Sequence, residues 1–461
     1  MPLARFVSMA RDTSDTDDEF EAYEGKAIPS GRGARFTHFG ALASGVAGGM
    51  LAEGARRLAA GERPRMRDMM LTPGNVMRVA DKLSHLRGAA MKLGQMVSMD
   101  AGDFLPPELS AIMARLRENA DHMPPGQLNK VLIAEWGKGW RRQFTKFGPK
   151  PMAAASIGQV HRAILPDGRE LAIKVQYPGV ATSIDSDIDN VATLLRISGL
   201  LPKELDIAPL LAEAKRQLHE EADYQREAAM MTRYANLLEG EDSYLVPRPV
   251  EALTTDKILA MDFLPGEPIE ALESAPQEVR DTAMESLIGL VLRELFEFGL
   301  MQTDPNFANY RFDPESGRLV LLDFGATREL APDIVDAYRQ MLRAGLGGDK
   351  AEIRAAAVAA GFMNDAAARK HQVVVDDMID VILAEANKPG KFDFGDRAFI
   401  GVLREQGMSV AEDREAWHLP PAEMVFVQRK ISGTALLAAR LKARVDVRGM
   451  IADALERYPA G

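Results

Sequence analysis

An α+β fold is predicted, because strand patterns occupy two stretches near the middle of the chain, with helical patterns before, between and after them. Short apolar runs bounded by turn residues lie at 144–176 and at 243–263, which is typical of strands. Helical patterns cover 64–135, 207–238 and most of the chain after Glu278. A chain of 461 residues is long enough for two or three domain-sized units.

The composition excludes several classes of protein. Hydrophobic residues make up 46% and charged residues 27% of the chain, as in an ordinary soluble core. There is no cysteine, which excludes disulfides, thiolate metal sites and a cysteine nucleophile. The net charge of −11 disfavours general binding of nucleic acid. No apolar run reaches the ~20 residues that a transmembrane helix needs.

The first segments are polar or rich in glycine. Residues 1–35 are expected to be disordered, because an acidic run at 12–21 is followed by flexible glycines. Such an acidic start is unlike a mitochondrial targeting peptide or a secretory signal, which favours a bacterial cytoplasmic protein. Residues 36–62 carry Gly45 and Gly49 at Gly-x-x-x-Gly spacing, and arginines follow closely. This segment has two interpretations: a peripheral contact with anionic lipid on the inner face of the bacterial inner membrane, or a helix packed on the protein body.

Two acidic motifs carry most of the chemical information. Asn309 follows Asp304 by five residues, and an apolar run then leads into Asp323-Phe-Gly. Kinases use this order for a catalytic-loop Asp, an Asn for one Mg²⁺ and an Asp for the metals on the ATP phosphates. A single Asp-Phe-Gly more often marks a strand end. The two motifs in this order favour a magnesium site.

A buried lysine lies upstream of these motifs. Lys174 is surrounded by apolar residues in a predicted strand, so it needs an anionic partner such as a phosphate or a carboxylate. Glu221 and Glu227 lie on a helical segment and do not share one face cleanly, because they are six residues apart. Glu227 is one candidate partner for Lys174. The alternative interpretation of these glutamates is a solvated acidic helix.

An alanine-rich loop precedes the lysine strand, at the position where a kinase has its glycine-rich loop. It contains Ala153, Ala154, Ala155 and Ser156. Glycines allow backbone N–H groups to approach phosphate closely, whereas alanine restricts positive φ angles. We therefore interpret this segment as a stiffened nucleotide loop.

Taken together, these motifs resemble the UbiB-type (aarF domain-containing, ADCK) atypical kinases, over residues 36 to 440. The motifs that carry the resemblance are Lys92-Leu-Gly-Gln95, the alanine-rich loop, Glu221-Ala-Asp223, Asp304 to Asn309 and Asp323-Phe-Gly325. The stretch Phe104-Leu-Pro-Pro-Glu is similar to the branch associated with coenzyme Q. The resemblance implies a bilobal protein-kinase-like fold, with a helical Lys-x-Gly-Gln extension (63–145) over the active site, an N-lobe (146–264) and a mostly helical C-lobe (265–461).

The resemblance also implies roles for residues of the first lobe and its extension. Lys174 would contact the phosphates of ATP and pair with Glu227, and the alanine-rich loop would cover the nucleotide. Lys92 would reach into the active site and pair with Glu221. Met261, together with Asp262 to Leu264, would face the adenine.

In the second lobe, the resemblance implies a catalytic Asp304 and Mg²⁺ ligands at Asn309 and Asp323. The sequence departs from the usual pattern at Gln302-Thr303, where His-Arg often precedes the catalytic Asp. The expected function is hydrolysis of ATP, or phosphorylation of a small molecule, in support of ubiquinone biosynthesis. Quinone precursors and quinone-biosynthesis enzymes would then be partners.

Two other functions stay open at this stage: a nucleotide-sensing scaffold that does not need turnover, and a protein kinase acting in trans. The chain after Gly325 runs directly into a helical pattern, and no Ala-Pro-Glu follows at the usual distance. Because a long activation segment positions a peptide substrate, this feature argues against the protein kinase.

Overall fold

The computed structural model describes residues 122–197, 208–411 and 421–459. These residues form two compact units. The first contains the described residues up to Ala228 together with 248–263, and the second contains 229–247 and the described residues from Leu264 onward. The predicted disordered N-terminus (1–35), the glycine-rich segment (36–62) and Lys92 lie outside the described residues, as does most of the predicted extension.

Within its described residues, the first unit is built on a five-stranded sheet. Strands β1, β3, β4 and β6 lie side by side, and β2 pairs with β3. All these pairings are antiparallel, and Lys174 of β4 lies opposite Val160 of β3 and Leu259 of β6. The strand bounds are β1 Lys146–Phe147, β2 Ala153–Ala154, β3 Gly158–Ile164, β4 Glu170–Gln176 and, after a short β5 that belongs to the second unit, β6 Ile258–Asp262.

Glycine is required at the start of β3. A Cβ atom at Gly158 would lie 2.5 Å from the backbone oxygen of Val175 on β4. Because such an approach is a clash with backbone, any side chain at this position would force the two strands apart. Gly158 therefore allows the close pairing that brings the alanine-rich segment next to the lysine strand.

Helices α1 Pro125–Trp136, α2 Val180–Ile197 and α3 Ala208–Glu221 belong to the first unit, and α4 Tyr224–Leu237 begins there. The sequence predicts one continuous helical region at 207–238, whereas the structure has a break after α3. The break occurs because Asp223 caps α4: its Oδ1 accepts a hydrogen bond of 2.9 Å from the backbone N–H of Arg226. An aspartate favours this N-cap role over a helix interior.

A buried polar network joins β3 to the segment before α1. The Nδ1 atom of His161 lies 2.8 Å from the carbonyl oxygen of Gly148, and its Nε2 lies 2.9 Å from Gln159 Nε2. Since a carbonyl only accepts, Nδ1 carries the proton and Nε2 accepts from the Gln159 amide. Gln159 Oε1 in turn accepts from the backbone N–H of Met123 at 2.7 Å. Burial lowers the pKa of His161 to about 4, so the ring is neutral at physiological pH.

The second unit combines small sheets with many helices, and this description covers its described residues only. One sheet has the strand order β5-β10-β9-β7, and the pairs β8–β11 and β12–β13 are antiparallel. The bounds are β5 Tyr244–Leu245, β7 Glu267–Pro268, β8 Leu300–Gln302, β9 Tyr310–Asp313, β10 Arg318–Leu321, β11 Thr327–Glu329, β12 Phe392–Asp393 and β13 Arg444–Val445. Helix α5, Gln277–Arg293, continues into a π-helical turn at Glu294–Phe298.

The remaining helices follow β11 in the chain. They are α6 Pro332–Gly347, α7 Lys350–Ala359, α8 Asp365–Lys370, α9 Gln372–Ala386, α10 Ala398–Ala411, α11 Ala422–Leu441 and α12 Val447–Arg457. Apolar side chains of α5, α6, α11 and α12 form a shared core around Met301 and Tyr338. The predicted α+β architecture is confirmed, but strands β8 to β13 lie after Glu278, where the sequence predicts a mostly helical region. None of the helices in the described ranges combines the length and apolar character needed to cross a bilayer.

The buried His161 predicts a specific dependence of stability on pH. Its pKa is lower in the folded protein than the ordinary value of 6.5, so the unfolded chain binds more protons between pH 6.5 and about 4. The free energy of unfolding should therefore fall as the pH falls through this window, by up to about 3 kcal/mol from this group. Urea titrations at several pH values would measure this change in the free energy of unfolding.

The matched variants are His161→Asn, which removes the titrating ring, and His219→Asn at a histidine whose side chain is 50% exposed. We expect a smaller loss of stability between pH 6.5 and pH 4 for His161→Asn and the wild-type loss for His219→Asn. Identical pH profiles for all three proteins would contradict the assignment.

Candidate active site

Lys174 and Glu227 form a buried ion pair in the first unit. Both carboxylate oxygens of Glu227 accept from Lys174 Nζ, at 2.9 and 2.8 Å. The lysine is 8% exposed and the glutamate is fully buried. The ring of Tyr224 lies beside the ammonium, with its centroid 5.2 Å from Nζ. Two short charge-assisted hydrogen bonds and a ring face hold the ammonium in one position.

The position of Glu227 follows from the cap of α4. Since Asp223 ends the preceding turn and starts the helix, Glu227 lies in the first turn of α4. A carboxylate there is stabilised by the positive end of the helix dipole. The first-turn position also directs Glu227 to β4, where Lys174 lies in the buried part of the strand.

The alanine-rich segment is more ordered than the sequence predicts. Ala153 and Ala154 form strand β2 and pair with Val160 and Gln159, so only the next residues form the turn. The N–H of Ala155 donates to Gly158 O at 2.8 Å, which closes the hairpin. Ala153 and Ala154 are exposed. Backbone pairing, rather than glycine freedom, therefore sets the shape of this segment.

Ser156 ties the hairpin to the end of α3. Its Oγ donates to Glu221 Oε2 at 2.6 Å, a short bond typical of a carboxylate acceptor. Next to this bond, the side chain of Gln176 on β4 donates to the carbonyl oxygen of Ala222 at 3.0 Å. The hairpin, the lysine strand and the Glu221-Ala-Asp223 segment are thus connected by side chains. The predicted partner Lys92 lies outside the described residues.

The predicted adenine-facing residues lie at the end of β6. Met261 is buried and lies opposite Ala172 of β4. Asp262 accepts from the backbone N–H of Arg248 at 3.2 Å. Leu264 is the first residue of the second unit after this strand. Their role toward adenine stays a prediction.

In the second unit, the segment after β8 forms a fixed loop. Thr303 donates from both its N–H and its hydroxyl to Ala326 O, at 3.1 and 2.8 Å. Asn309 Nδ2 donates to the backbone oxygen of Asp304 at 3.1 Å and to its Oδ2 at 3.3 Å. The two motif residues Asp304 and Asn309 are therefore held together by direct hydrogen bonds.

The Asp-Phe-Gly motif is connected to the same loop. The N–H of Leu322 donates to Asn309 O at 3.0 Å, and Asp323 Oδ1 accepts from the N–H of Gly325 at 2.9 Å. Phe324 is 1% exposed and packs on Tyr234, with ring centroids 5.0 Å apart. The three residues predicted for catalysis and metal binding, Asp304, Asn309 and Asp323, thus lie in one hydrogen-bonded segment of the second unit.

The chemistry of this segment fits Mg²⁺. The amide nitrogen of Asn309 faces Asp304, so the amide group has its oxygen left to act as a ligand. Asp323 adds a carboxylate, and Mg²⁺ prefers one or two such hard oxygen ligands together with phosphates and waters. Within the described ranges, no group of three or more His, Cys, Asp or Glu side chains forms an all-protein metal site.

Several residues next to this segment were not found from the sequence. Tyr234, Glu294 and Lys430 line a small cavity together with Asn309 and Asp323. The available signal was weak, because each residue is a charge next to an arginine in a partly apolar helical pattern: Glu294 follows Arg293 in the extension of α5, and Lys430 follows Arg429 in α11. Without their partners, such residues are equally typical of a helix face at the surface.

Comparisons with known proteins identify the family and the fold of the chain. Residues 115–357, more than half of the chain, match the family model described as the ABC1 atypical kinase-like domain. "Atypical kinase COQ8B, mitochondrial" of Danio rerio is 36% identical, over 94% of this chain and 70% of that protein. "Atypical kinase COQ8, mitochondrial" of Saccharomyces cerevisiae is 36% identical, over 93% of this chain and 86% of that protein.

A solved structure, "The complex structure of Rv3197-erythromycin from Mycobacterium tuberculosis", is also similar. Its TM-score is 0.58 with 24% identity, and the match covers 84% of this chain and 97% of that chain. At this identity the likeness shows the fold alone. The fold and the ordered motifs define an atypical kinase. The chain belongs to the ABC1 atypical kinase-like family, which confirms the resemblance and the enzyme class predicted from its sequence.

The Lys174–Glu227 pair predicts an asymmetric response to mutation. Lys174→Met leaves a buried carboxylate without its counter-charge, and we expect a loss of about 3–5 kcal/mol in the free energy of unfolding. Lys174→Met combined with Glu227→Gln removes both charges and should restore most of that loss. Chemical denaturation would measure the free energy of unfolding of the wild type, of Lys174→Met and of the double variant.

The control is Lys350→Met, which breaks the ion pair with Asp380 at the surface, where both side chains are at least 40% exposed. This variant should keep nearly wild-type stability, because exposed pairs contribute little. Equal losses in the single and double variants at Lys174 would show that the charge pairing is not the dominant interaction.

Proposed function

We propose that this chain is a Mg²⁺-dependent ATPase or small-molecule kinase. The observation that carries the proposal is the buried Lys174–Glu227 pair in a member of an atypical kinase family. A carboxylate that forms an ion pair with a strand lysine holds the ammonium in a position where it can contact phosphate oxygens. In the second unit, the ordered Asp304–Asn309–Asp323 segment offers oxygen ligands suited to Mg²⁺.

In this proposal the protein residues act mainly by position and charge. Lys174 contacts phosphate oxygens of ATP, and Ala153 to Ser156 cover the nucleotide. Asp304 accepts a hydrogen bond from the attacking hydroxyl or water and orients it. Bound Mg²⁺, held by Asn309 and Asp323, would neutralise negative charge on the phosphates. Met261, Asp262 and Leu264 would face the adenine.

We further propose that the activity supports ubiquinone biosynthesis, with lipid-like quinone precursors and quinone-biosynthesis enzymes as partners. The support is the family membership and the two relatives named COQ8, which align with more than nine-tenths of this chain. Those relatives are named mitochondrial. For this chain we propose a peripheral position on the inner face of a bacterial inner membrane through residues 36–62.

The order of elements after Asp323 argues against peptide phosphorylation. Strand β11 begins two residues after Gly325, and α6 begins at Pro332. This leaves no long segment to position a peptide substrate. We therefore prefer water or a small molecule as the phosphate acceptor. We keep a helical extension at 63–145 and lobes at 146–264 and 265–461 as proposed domain limits, although residues 229–247 and Leu264 belong to the second compact unit.

Binding and turnover of ATP test the proposal directly. Calorimetry should show Mg²⁺-dependent binding of an adenine nucleotide by the wild-type chain. Asp323→Asn should lower the ATPase rate on the order of 100-fold, because a metal ligand acts most strongly on the charged transition state. Asp380→Asn, an exposed aspartate of α9, removes the same charge and should retain wild-type turnover.

The binding and turnover results distinguish the proposed enzyme from a nucleotide-sensing scaffold. A folded wild-type protein without Mg²⁺-dependent nucleotide binding would end the proposal. Nucleotide binding with full pathway function in the inactive Asp323→Asn variant would favour a scaffold. ATPase assays with anionic vesicles and phenolic quinone-precursor analogues, compared with neutral vesicles, then test the membrane and substrate parts.

A further inference from the structure

A cluster of buried polar side chains lies beneath the Asp304–Asn309 loop in the second unit. Lys430 Nζ is 3.0 Å from Tyr310 Oη, 3.4 Å from Gln302 Oε1 and 3.3 Å from Glu294 Oε2. Tyr234 donates its hydroxyl to Glu294 Oε1 at 2.8 Å. All five side chains are at most 5% exposed. A lysine enclosed in this way cannot contact a ligand in solvent, so it acts only on its neighbours.

The cluster holds both ends of the loop. Gln302 lies two residues before Asp304, and its N–H donates to Glu294 Oε1 at 3.3 Å. Tyr310 directly follows Asn309, and its hydroxyl contacts Lys430. Because the same ammonium contacts the residues on either side, it restricts the distance between the two ends of the loop.

Helix α11, which carries Lys430, also touches the loop directly. A Cβ atom at Gly433 would lie 2.3 Å from the Cβ of Pro305, the residue after Asp304. The absence of a side chain therefore lets the helix backbone pack against the loop. This helix lies beyond residue 357, where the match to the family model ends.

The partner of Lys430 lies at an unusual point of its helix. Glu294 is the first residue of the π-helical turn that follows α5. Such turns are rare and frequently occur at functional sites. Burial raises the pKa of Glu294, and the nearby charge of Lys430 offsets only part of this increase. Burial opposes the charge of Lys430, but Glu294 and Tyr310 outweigh it and raise the pKa of this lysine.

Stability alone does not explain this arrangement. A buried ion pair is often no more stabilising than apolar side chains of similar volume, because both charges lose their hydration. Here the pair is surrounded by an apolar core formed by α5, α6, α11 and α12. Apolar side chains at positions 294 and 430 could extend this core. The pair instead provides directional contacts, and these point to the two ends of one loop.

We propose that Lys430 and Glu294 are positioning residues that set the spacing of Asp304 and Asn309. This inference rests on the proposed function, in which those two residues orient the attacking group and hold Mg²⁺. Removing the pair should then disturb the loop while leaving Lys174 and its partner Glu227 intact. The effect should appear in kcat and in the Mg²⁺ requirement more than in the KM for ATP.

The test uses three variants of the full chain. Tyr310→Phe removes only the hydroxyl that contacts Lys430. Lys430→Met with Glu294→Gln removes both charges and so avoids an unpaired buried ion. Tyr338→Phe is the matched control, because this buried hydroxyl also contacts α11, at Met424 O and 3.1 Å, but not the loop.

We expect the double variant to lower kcat by about 100-fold, since small misplacements of reacting groups are costly. It should raise the Mg²⁺ concentration for half-maximal activity and change the KM for ATP by less than about two-fold. Tyr310→Phe should act in the same direction but less strongly. Tyr338→Phe should show wild-type kinetics.

Hydrogen exchange gives a second measurement that does not need turnover. Backbone amides of residues 303–310 should exchange faster in the double variant and in Tyr310→Phe, with amides of β3 and β4 unchanged. Unchanged exchange in this loop, or wild-type kcat in the folded double variant, would overturn the inference. Failure of the wild-type chain to bind Mg²⁺-ATP would instead refute the proposed function, while the exchange result would still decide the positioning role.

Discussion

The Lys174–Glu227 ion pair is the constraint on which the first unit depends. A lysine within a buried strand is tolerated only if its charge is matched, and Glu227 supplies both carboxylate oxygens within 2.9 Å. The glutamate reaches it because α4 starts immediately after Asp223, which places Glu227 in the first helical turn. One N-cap therefore determines whether the buried ammonium is paired, and hence whether this strand can carry a lysine at all.

Two buried lysine–glutamate pairs occur among the described residues, and their surroundings give them different capacities. The side chain of Lys174 is 10% exposed, so part of it stays accessible to a ligand. The side chain of Lys430 is 1% exposed, and Glu294 and Tyr310 enclose its ammonium. Only the first pair leaves part of its lysine open to a ligand, whereas the second can only order the chain around it.

The sequence alone predicts those site residues that lie in a recognisable local pattern. Lys174 is conspicuous because it interrupts an apolar strand, and the Asp304, Asn309 and Asp323 motifs have fixed spacing. The break before α4 was missed because the acidic run continues through Asp223 without a glycine or proline. Lys430 was missed because its partner Glu294 is 136 residues away, and pairing at such a distance depends on how the helices pack.

The Glu221-Ala-Asp223 segment links the parts of the first unit more closely than the separate motifs suggest. Glu221 accepts from Ser156 of the alanine-rich hairpin, Ala222 O accepts from Gln176 on the lysine strand, and Asp223 caps α4. Three successive residues thus connect the hairpin, the strand and the helix that carries Glu227. Because these contacts share one short backbone segment, a displacement of the hairpin must either break the Ser156 bond or shift the start of α4. The geometry of the alanine-rich hairpin and the pairing of Lys174 with Glu227 are therefore coupled through hydrogen bonds.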